Sequence, residues 1–324
     1  FRREFIAAPG IIVGHAEGMN HSDDILVLEA GSGDRGKRLD RFIADRLGGV
    51  TRSKARKIVE GRLRGGPFKP GTRVRSGQRF ELKLAIKNRR EPDFPLELIH
   101  ESDTYLVVDK PAGQLVHPPR RGVTNTLVDT LRERFGQEVS FPHRLDRETS
   151  GVMIAARNTG ALRRFSEMFE KGRVEKTYQA VVQGRPDPPE GRIDLPVGPK
   201  EGSRVHDRQC VRPDGRLAVT VYRVLRTHGD RSLVELLPET GRLHQIRVHM
   251  AALGTPLVGD KIYGPDERFF LDVIENGFTE EMKKALILPR HALHAAALSF
   301  VCPETKESRT FTSSLPDDMA TLLV

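Results

Sequence analysis

Cysteine is nearly absent from this chain of 324 residues: Cys210 and Cys302 stand far apart, outside any CxxC pattern. That excludes a disulfide scaffold and argues against a thiolate zinc site. No apolar run reaches the roughly 18 residues of a membrane-spanning helix, and the N-terminal stretch lacks the apolar core of a signal peptide. A reducing, cytoplasmic setting without membrane contact is therefore expected. GxSxG, Walker A and HExxH sequences are also missing, and with them the usual marks of serine hydrolases, P-loop nucleotidases and zinc peptidases. His244 and His249 are off the spacing that aims two ligands one way on a helix. His291 and His294 could share a helical face but have no acidic partner nearby. Neither a metal nor a cofactor is expected.

Acid is scarce in one region only. Residues 36–80 hold 14 Lys and Arg against 3 Asp and Glu, an excess of 11 positive charges in a chain whose net charge is +9. The remainder is close to neutral, the pattern of a dedicated polyanion-binding module on a neutral body. Within it, Leu39, Phe42, Ile43 and Leu47 form the apolar face of a helix ended by Gly48-Gly49. Ala55, Ile58 and Val59 form that of a second. Short strands are expected at 72–74 and 79–84. The candidate RNA contacts are Arg38, Arg41, Arg52, Lys54, Arg56, Lys57, Arg73 and Arg75, suited to phosphates whatever the sequence. Just upstream, Gly31-Ser32-Gly33-Asp34-Arg35-Gly36 spells GxGxxG between a strand and a helix. The stretch about 20 residues on is Thr51-Arg52-Ser53-Lys54-Ala55-Arg56-Lys57, with no acid to hold a ribose, so dinucleotide binding is not expected.

Four segments follow: an N-terminal extension (1–35), the basic module (36–85), a linker (86–97) and a larger domain (98–324). The 186–216 stretch, rich in Pro, Gly and Asp, reads as a mobile surface insertion. Strands of mixed length with interspersed helices and little βα regularity indicate α+β with a mixed, mainly antiparallel sheet and flanking helices. The chemistry concentrates in Phe141-Pro142-His143-Arg144-Leu145-Asp146-Arg147-Glu148-Thr149-Ser150-Gly151, which feeds the apolar strand Val152–Ala156. A carboxylate among arginines before a core strand is open to several readings: a structural ion pair, a metal ligand, a general base or a nucleophile.

Two resemblances narrow these readings. The basic module resembles the S4 RNA-binding fold through Arg38–Ile43, Thr51–Ala55 and Gly71–Phe80, departing from it at Arg62-Leu63-Arg64-Gly65-Gly66-Pro67. Residues 142–151 resemble the HRLDxxTSG motif of the RluA-type pseudouridine synthases. Lys176-Thr177-Tyr178 resembles that family's Lys-x-Tyr strand, and 241–247 its GRTHQIR segment with Leu243 in place of Thr. Val107–Gly113 and Pro256–Asp260 fit as well. This resemblance implies isomerisation of uridine to pseudouridine in RNA, with large-subunit ribosomal RNA as the expected target. A tRNA-directed enzyme and a non-catalytic RNA-binding or ribosome-assembly factor are the alternatives. It implies Asp146 as the catalytic residue, Tyr178 stacked near the base and a candidate for taking the C5 proton, and Arg247 paired with the aspartate. Arg144 would fill the gap left by a flipped base or grip a phosphate, and Ile246 and His143 would position the uracil. RNA is the expected partner of a chain acting as a monomer.

Overall fold

The computed structural model describes residues 11–14, 25–47, 51–64, 68–83, 89–119, 123–205 and 207–324. They fall into two compact units, the second starting at Arg89. The helix stop at Gly48-Gly49, the glycine-rich turn 65–67, the Lys54 side chain and His206 lie outside the described parts.

The first unit is a four-stranded antiparallel sheet with two helices. Its strands are β1 (Ile11–Gly14), β2 (Ile25–Glu29), β3 (Leu63–Arg64) and β4 (Arg79–Lys83), in the order β1-β2-β4-β3. Helices α1 (Leu39–Leu47) and α2 (Arg52–Arg62) bury Leu39, Phe42, Ile43, Ala55, Ile58 and Val59 against Leu28, Phe80 and Leu82. This is the pair of faces expected from the spacing. Two boundaries move. Strand β2 pairs along its length with β4, and Leu28 and Ala30 are core residues, so the extension drawn at 1–35 contributes a central strand to this unit. The strand expected at 72–74 is a lone bridge between Arg38 and Arg73. In the GxGxxG turn, the Gly31 N–H donates to Asp34 Oδ2 at 3.1 Å, and Lys37 donates to Oδ1 at 2.8 Å. The loop is closed around its own carboxylate.

The second unit begins with β5 (Arg89–Arg90), paired in parallel with β8 (Val123–Thr124). Glu91 is buried beside it, so the linker drawn at 86–97 is folded from Arg89 onward. The main sheet has nine strands: β6 (Glu97–Glu101), β7 (Tyr105–Lys110), β9 (Ser150–Ala156), β10 (Val174–Gln183), β11 (Glu190–Asp194), β14 (Val219–His228), β15 (Arg231–Pro238), β16 (Leu293–Val301) and β17 (Ser308–Thr312). Their order is β11-β14-β15-β10-β16-β9-β7-β6, with β17 also on β16. Every pairing in it is antiparallel except that of β9 with β16. The fold is α+β with a mixed, mainly antiparallel sheet.

Strands β7 and β9 are apolar over Tyr105–Val108 and Val152–Ala156, where both their faces are covered. Leu106, Val108, Met153 and Ala155 face α3 (Leu127–Phe135), and Tyr105, Val107, Val152 and Ile154 face α4 (Thr159–Glu170), the alternation that a strand's period of two requires. Asp129 reaches back to the Thr126 N–H and hydroxyl to start α3, and Asn158 caps α4 through the Ala161 N–H. Farther along the sheet, α5 (Gln245–Ala252) lays Ile246 and Met250 over Ala180, Val234 and Leu236. Tyr178 on β10 packs against both this cluster and the α3 cluster. A seam thus opens at the middle of the sheet. The strand bulges between Thr177 and Tyr178, a device that re-aims one side chain.

The 186–216 insertion carries regular structure among its described residues, which its composition does not announce. Strands β12 (Val197–Pro199) and β13 (Gln209–Val211) pair within it, and Val197 and Val205 are buried with Val248, Ile262 and Tyr263. The last helices are α6 (Arg268–Asn276), α7 (Glu280–Leu286) and α8 (Asp317–Ala320). Among the described residues no helix is long and apolar enough to cross a membrane.

Candidate active site

Asp146 sits in the loop before β9, and three consecutive residues fasten that loop to β16. The Thr149 N–H donates to the Asp146 carbonyl at 3.1 Å, and its hydroxyl bonds His291 Nε2 at 2.7 Å. Ser150 Oγ bonds His294 Nδ1 at 3.0 Å. Gly151 has φ of +113°, and a β-carbon there would lie 2.2 Å from the Ala295 carbonyl oxygen. Only glycine permits that backbone and that approach. His291 and His294 lie just before and within β16, not on a helix, and serve this fastening.

On the other side the Lys110-Pro111-Ala112-Gly113 turn holds the residue after Asp146. Lys110 Nζ donates to the carbonyls of Pro111, Gln114 and Arg147 at 2.9, 2.9 and 3.1 Å. Burial pulls its pKa down to about 7, but three carbonyl acceptors call for three N–H donors, so we describe it as the ammonium. Arg147 itself reaches the Gly113 carbonyl and Glu91 Oε2.

The opposite wall is the 240–247 loop and α5. Gln245 is saturated: Oε1 accepts from Thr240 Oγ1 and the Arg242 N–H, and Nε2 donates to the Val219 carbonyl and Thr220 Oγ1. This frame fixes Arg247, whose Nη1 donates to Asp146 Oδ2 at 3.0 Å. Its Nε and Nη2 fork onto Asp260 at 2.7 and 2.8 Å, and its guanidinium lies 5.0 Å from the Tyr263 ring centre. Asp260 Oδ1 also accepts the N–H groups of Ile262 and Tyr263. One buried guanidinium is shared by two carboxylates, of which Asp146 opens to the cleft and Asp260 has no exposure.

Burial by itself would raise the Asp146 carboxyl; His244, Arg247 and His291 outweigh it and hold the group below its ordinary range. Burial also lowers both imidazoles, so at neutral pH the permanent cation is Arg247. The His244 tautomer follows from a chain of hydrogen bonds. Tyr263 Oη accepts the Gln209 N–H at 2.8 Å and bonds His244 Nδ1 at 2.8 Å. The phenol's single hydrogen then goes to Nδ1, the acceptor within reach. That leaves the imidazole proton on Nε2, 3.6 Å from Asp146 Oδ2.

Between these walls lies a cleft of about 890 Å³ lined by Arg144, Asp146, Lys176, Tyr178, Ile246 and Arg247, among others. Asp146, Tyr178, Arg247, Arg144, Ile246 and His143 therefore all come together. Two have surroundings that the motifs did not reveal. His143 Nε2 accepts the Ile154 N–H at 3.1 Å and its ring stacks on Phe169 at 4.4 Å. Burial lowers its pKa to about 3, so the ring lining the cleft is neutral. Tyr178 is pushed well above its ordinary value by burial and then by Asp146. At neutral pH its phenol keeps its hydrogen, and its ring packs between the α3 and α5 clusters. Arg144 is exposed and makes no protein hydrogen bond among the described residues. Leu243, the departure from GRTHQIR, is 40% exposed at the cleft rim. Sequence reasoning missed the roles of Asp260, Tyr263 and His244. The signals were the Pro256–Asp260 turn and the histidine inside the 241–247 motif.

In the first unit several expected phosphate contacts have protein partners. Arg38 and Arg52 both bind the buried Asp40, Arg56 binds Glu60, and Arg73 donates to the Gly36 carbonyl. Arg41, Lys57 and Arg75 are exposed and paired with no carboxylate among the described residues. No group of three or more His, Cys, Asp and Glu able to hold a metal ion occurs among the described residues.

Residues 104–252 match the sequence profile of the RNA pseudouridylate synthase family. An RNA pseudouridine synthase of Chloroflexus aurantiacus is 37% identical over 89% of this chain and 89% of its own length. The ribosomal large subunit pseudouridine synthase D of Vibrio cholerae is 34% identical over 88% of this chain and 89% of its own. Among solved structures, human RNA pseudouridylate synthase domain containing 1 superposes with a TM-score of 0.55 at 28% identity, covering 69% of this chain and 86% of that one.

Proposed function

Since the chain belongs to the RNA pseudouridylate synthase family and is an RluA-type RNA pseudouridine synthase, we propose that it isomerises specific uridines of large-subunit ribosomal RNA, with Asp146 as the catalytic carboxylate. The net change breaks the N1–C1′ bond and forms C5–C1′; C5 gives up its hydrogen and N1 gains one, so no co-reactant is consumed. The observation that carries the reading is the Asp146–Arg247 pair at 3.0 Å in a cleft floored by Tyr178. A carboxylate that must act at C1′ has to stay ionised while RNA covers it, and a guanidinium does this without titrating.

Tyr178 and Ile246 offer a flat apolar surface to a uracil turned out of its stack, at an unstacking cost of a few kcal/mol. Arg144, exposed at the mouth, enters the space that the base vacates or binds its phosphate. The first unit, S4-like over residues 36–85, holds structured RNA through Arg41, Lys57 and Arg75, and the enzyme works in the cytoplasm as a monomer. Large-subunit RNA is favoured over tRNA by the relatives named synthase D. The test is Asp146→Asn assayed by tritium release from ribosomal RNA transcripts carrying [5-³H]uridine. Loss of release with unchanged RNA affinity is expected; retained turnover would remove Asp146 from the chemistry.

A further inference from the structure

The cleft wall opposite Arg144 holds two arginines that the reaction as described leaves unused. Arg216 lies between β13 and β14, its backbone clamped to Val197 by N–H···O bonds of 2.9 and 3.0 Å. Arg242 opens the 240–247 loop, and its Nε donates to the Leu217 carbonyl at 2.8 Å, which brings it beside Arg216. Both line the cleft that contains Asp146. Neither guanidinium is paired with a carboxylate among the described residues, and the Arg242 terminal nitrogens and the whole Arg216 fork make no protein hydrogen bond there. Burial and the neighbouring Arg216 charge both lower the Arg242 pKa. Two like charges held together by backbone bonds, with their donors idle, are matched by an anion offering two oxygens. Their chain neighbours Leu217 and Leu243 are 59% and 40% exposed, and Leu243 also lines the cleft.

We propose that Arg216 and Arg242 form a phosphodiester subsite that grips the RNA backbone beside the target uridine, with Leu217 and Leu243 receiving the nucleotide attached to that phosphate. The inference rests on the pseudouridine synthase reading and adds to it the part of the substrate held on this wall. Leu243 is then a contact with RNA, in place of the polar threonine of the family motif. The chain's insertion acquires a purpose, since its clamp at Val197 fixes Arg216.

The test uses the full chain with Arg216→Gln, Arg242→Gln, the matching Lys variants, and Arg226→Gln as an exposed control on β14. Affinity for a fluorescein-labelled 20-nucleotide uridine-containing stem-loop is measured against KCl concentration, and KM and kcat by tritium release. Each Gln variant is expected to weaken binding about tenfold and to flatten the salt slope by about 0.7, raising KM more than it lowers kcat. The Lys variants should restore the slope. Affinity and slope matching the Arg226→Gln control would overturn the subsite, as would loss of kcat with binding intact. If wild-type protein releases no tritium, the catalytic reading fails separately, and the salt slopes still decide the subsite.

Discussion

Changing Asp260 to asparagine keeps the shape of a buried carboxylate and removes its charge. With its oxygen at the Oδ1 position, the amide still accepts from Arg247 Nη2 and the N–H groups of Ile262 and Tyr263. Its NH₂ then faces Arg247 Nε, where wild-type Oδ2 accepts at 2.7 Å. A donor meets a donor inside the protein, and Arg247 keeps Asp146 as its remaining carboxylate. Breaking one member of a buried pair costs about 3–5 kcal/mol, and the three surviving bonds place this case near the lower end. At about 2–4 °C per kcal/mol for a domain of this size, Tm should fall by roughly 6–12 °C. The freed guanidinium shifts toward Asp146, and a displacement of about 1 Å at a reacting group costs on the order of 10²-fold in kcat. Burial opposes the Asp260 charge but Arg247 outweighs it, holding the carboxyl below its unfolded value of 3.8. A depressed carboxyl contributes stability above its unfolded pKa and loses it as pH falls through the folded one. The Tm gap between wild type and variant should therefore be flat above about pH 5 and close only toward strong acid. Circular dichroism melts at several pH values and tritium-release kinetics read both effects. A Tm within about 2 °C of wild type with unchanged kcat would refute the idea that Asp260 sets Arg247.

Two further substitutions probe the frame. Gly151→Ala meets the Ala295 carbonyl at a backbone angle closed to alanine, and a loss of more than about 4 kcal/mol is expected; a soluble variant with wild-type Tm would disprove the close approach. Tyr263→Phe leaves the Gln209 N–H and His244 Nδ1 without partners, a cost of about 1–3 kcal/mol. Its ¹⁵N spectrum should show His244 moving away from the pure Nε2–H tautomer, and an unchanged spectrum would count against the hydrogen-bond chain.

Much of the site was legible because its residues lie in short contiguous motifs. Asp146, Tyr178, Ile246 and Arg247 converge on one cleft, and the helix faces of the first unit follow from their spacing alone. The misses share a cause: they depend on which distant group each residue meets. Counting charge marked Arg38 and Arg52 as RNA contacts without revealing that both also pair with the buried Asp40. Pro and Gly made 186–216 look mobile, although Val197 and Val205 anchor it in the core. Asp260 stands 13 residues beyond Arg247, and nothing local reveals that the two share a salt bridge. The sequence likewise hides the Ile154 N–H that β9 gives to His143.

The parallel contact of β9 with β16 joins residues separated by more than 140 positions, through His294 with Ser150 and Ala295 with Gly151. Closing so long a loop is slow relative to local pairing. During synthesis Asp146 emerges long before the strand that seats it. A partly made chain can therefore carry the whole 141–151 motif without the geometry to use it. Until its last strands dock, such a chain lacks the seat for Asp146, so activity itself reports that translation has reached β16.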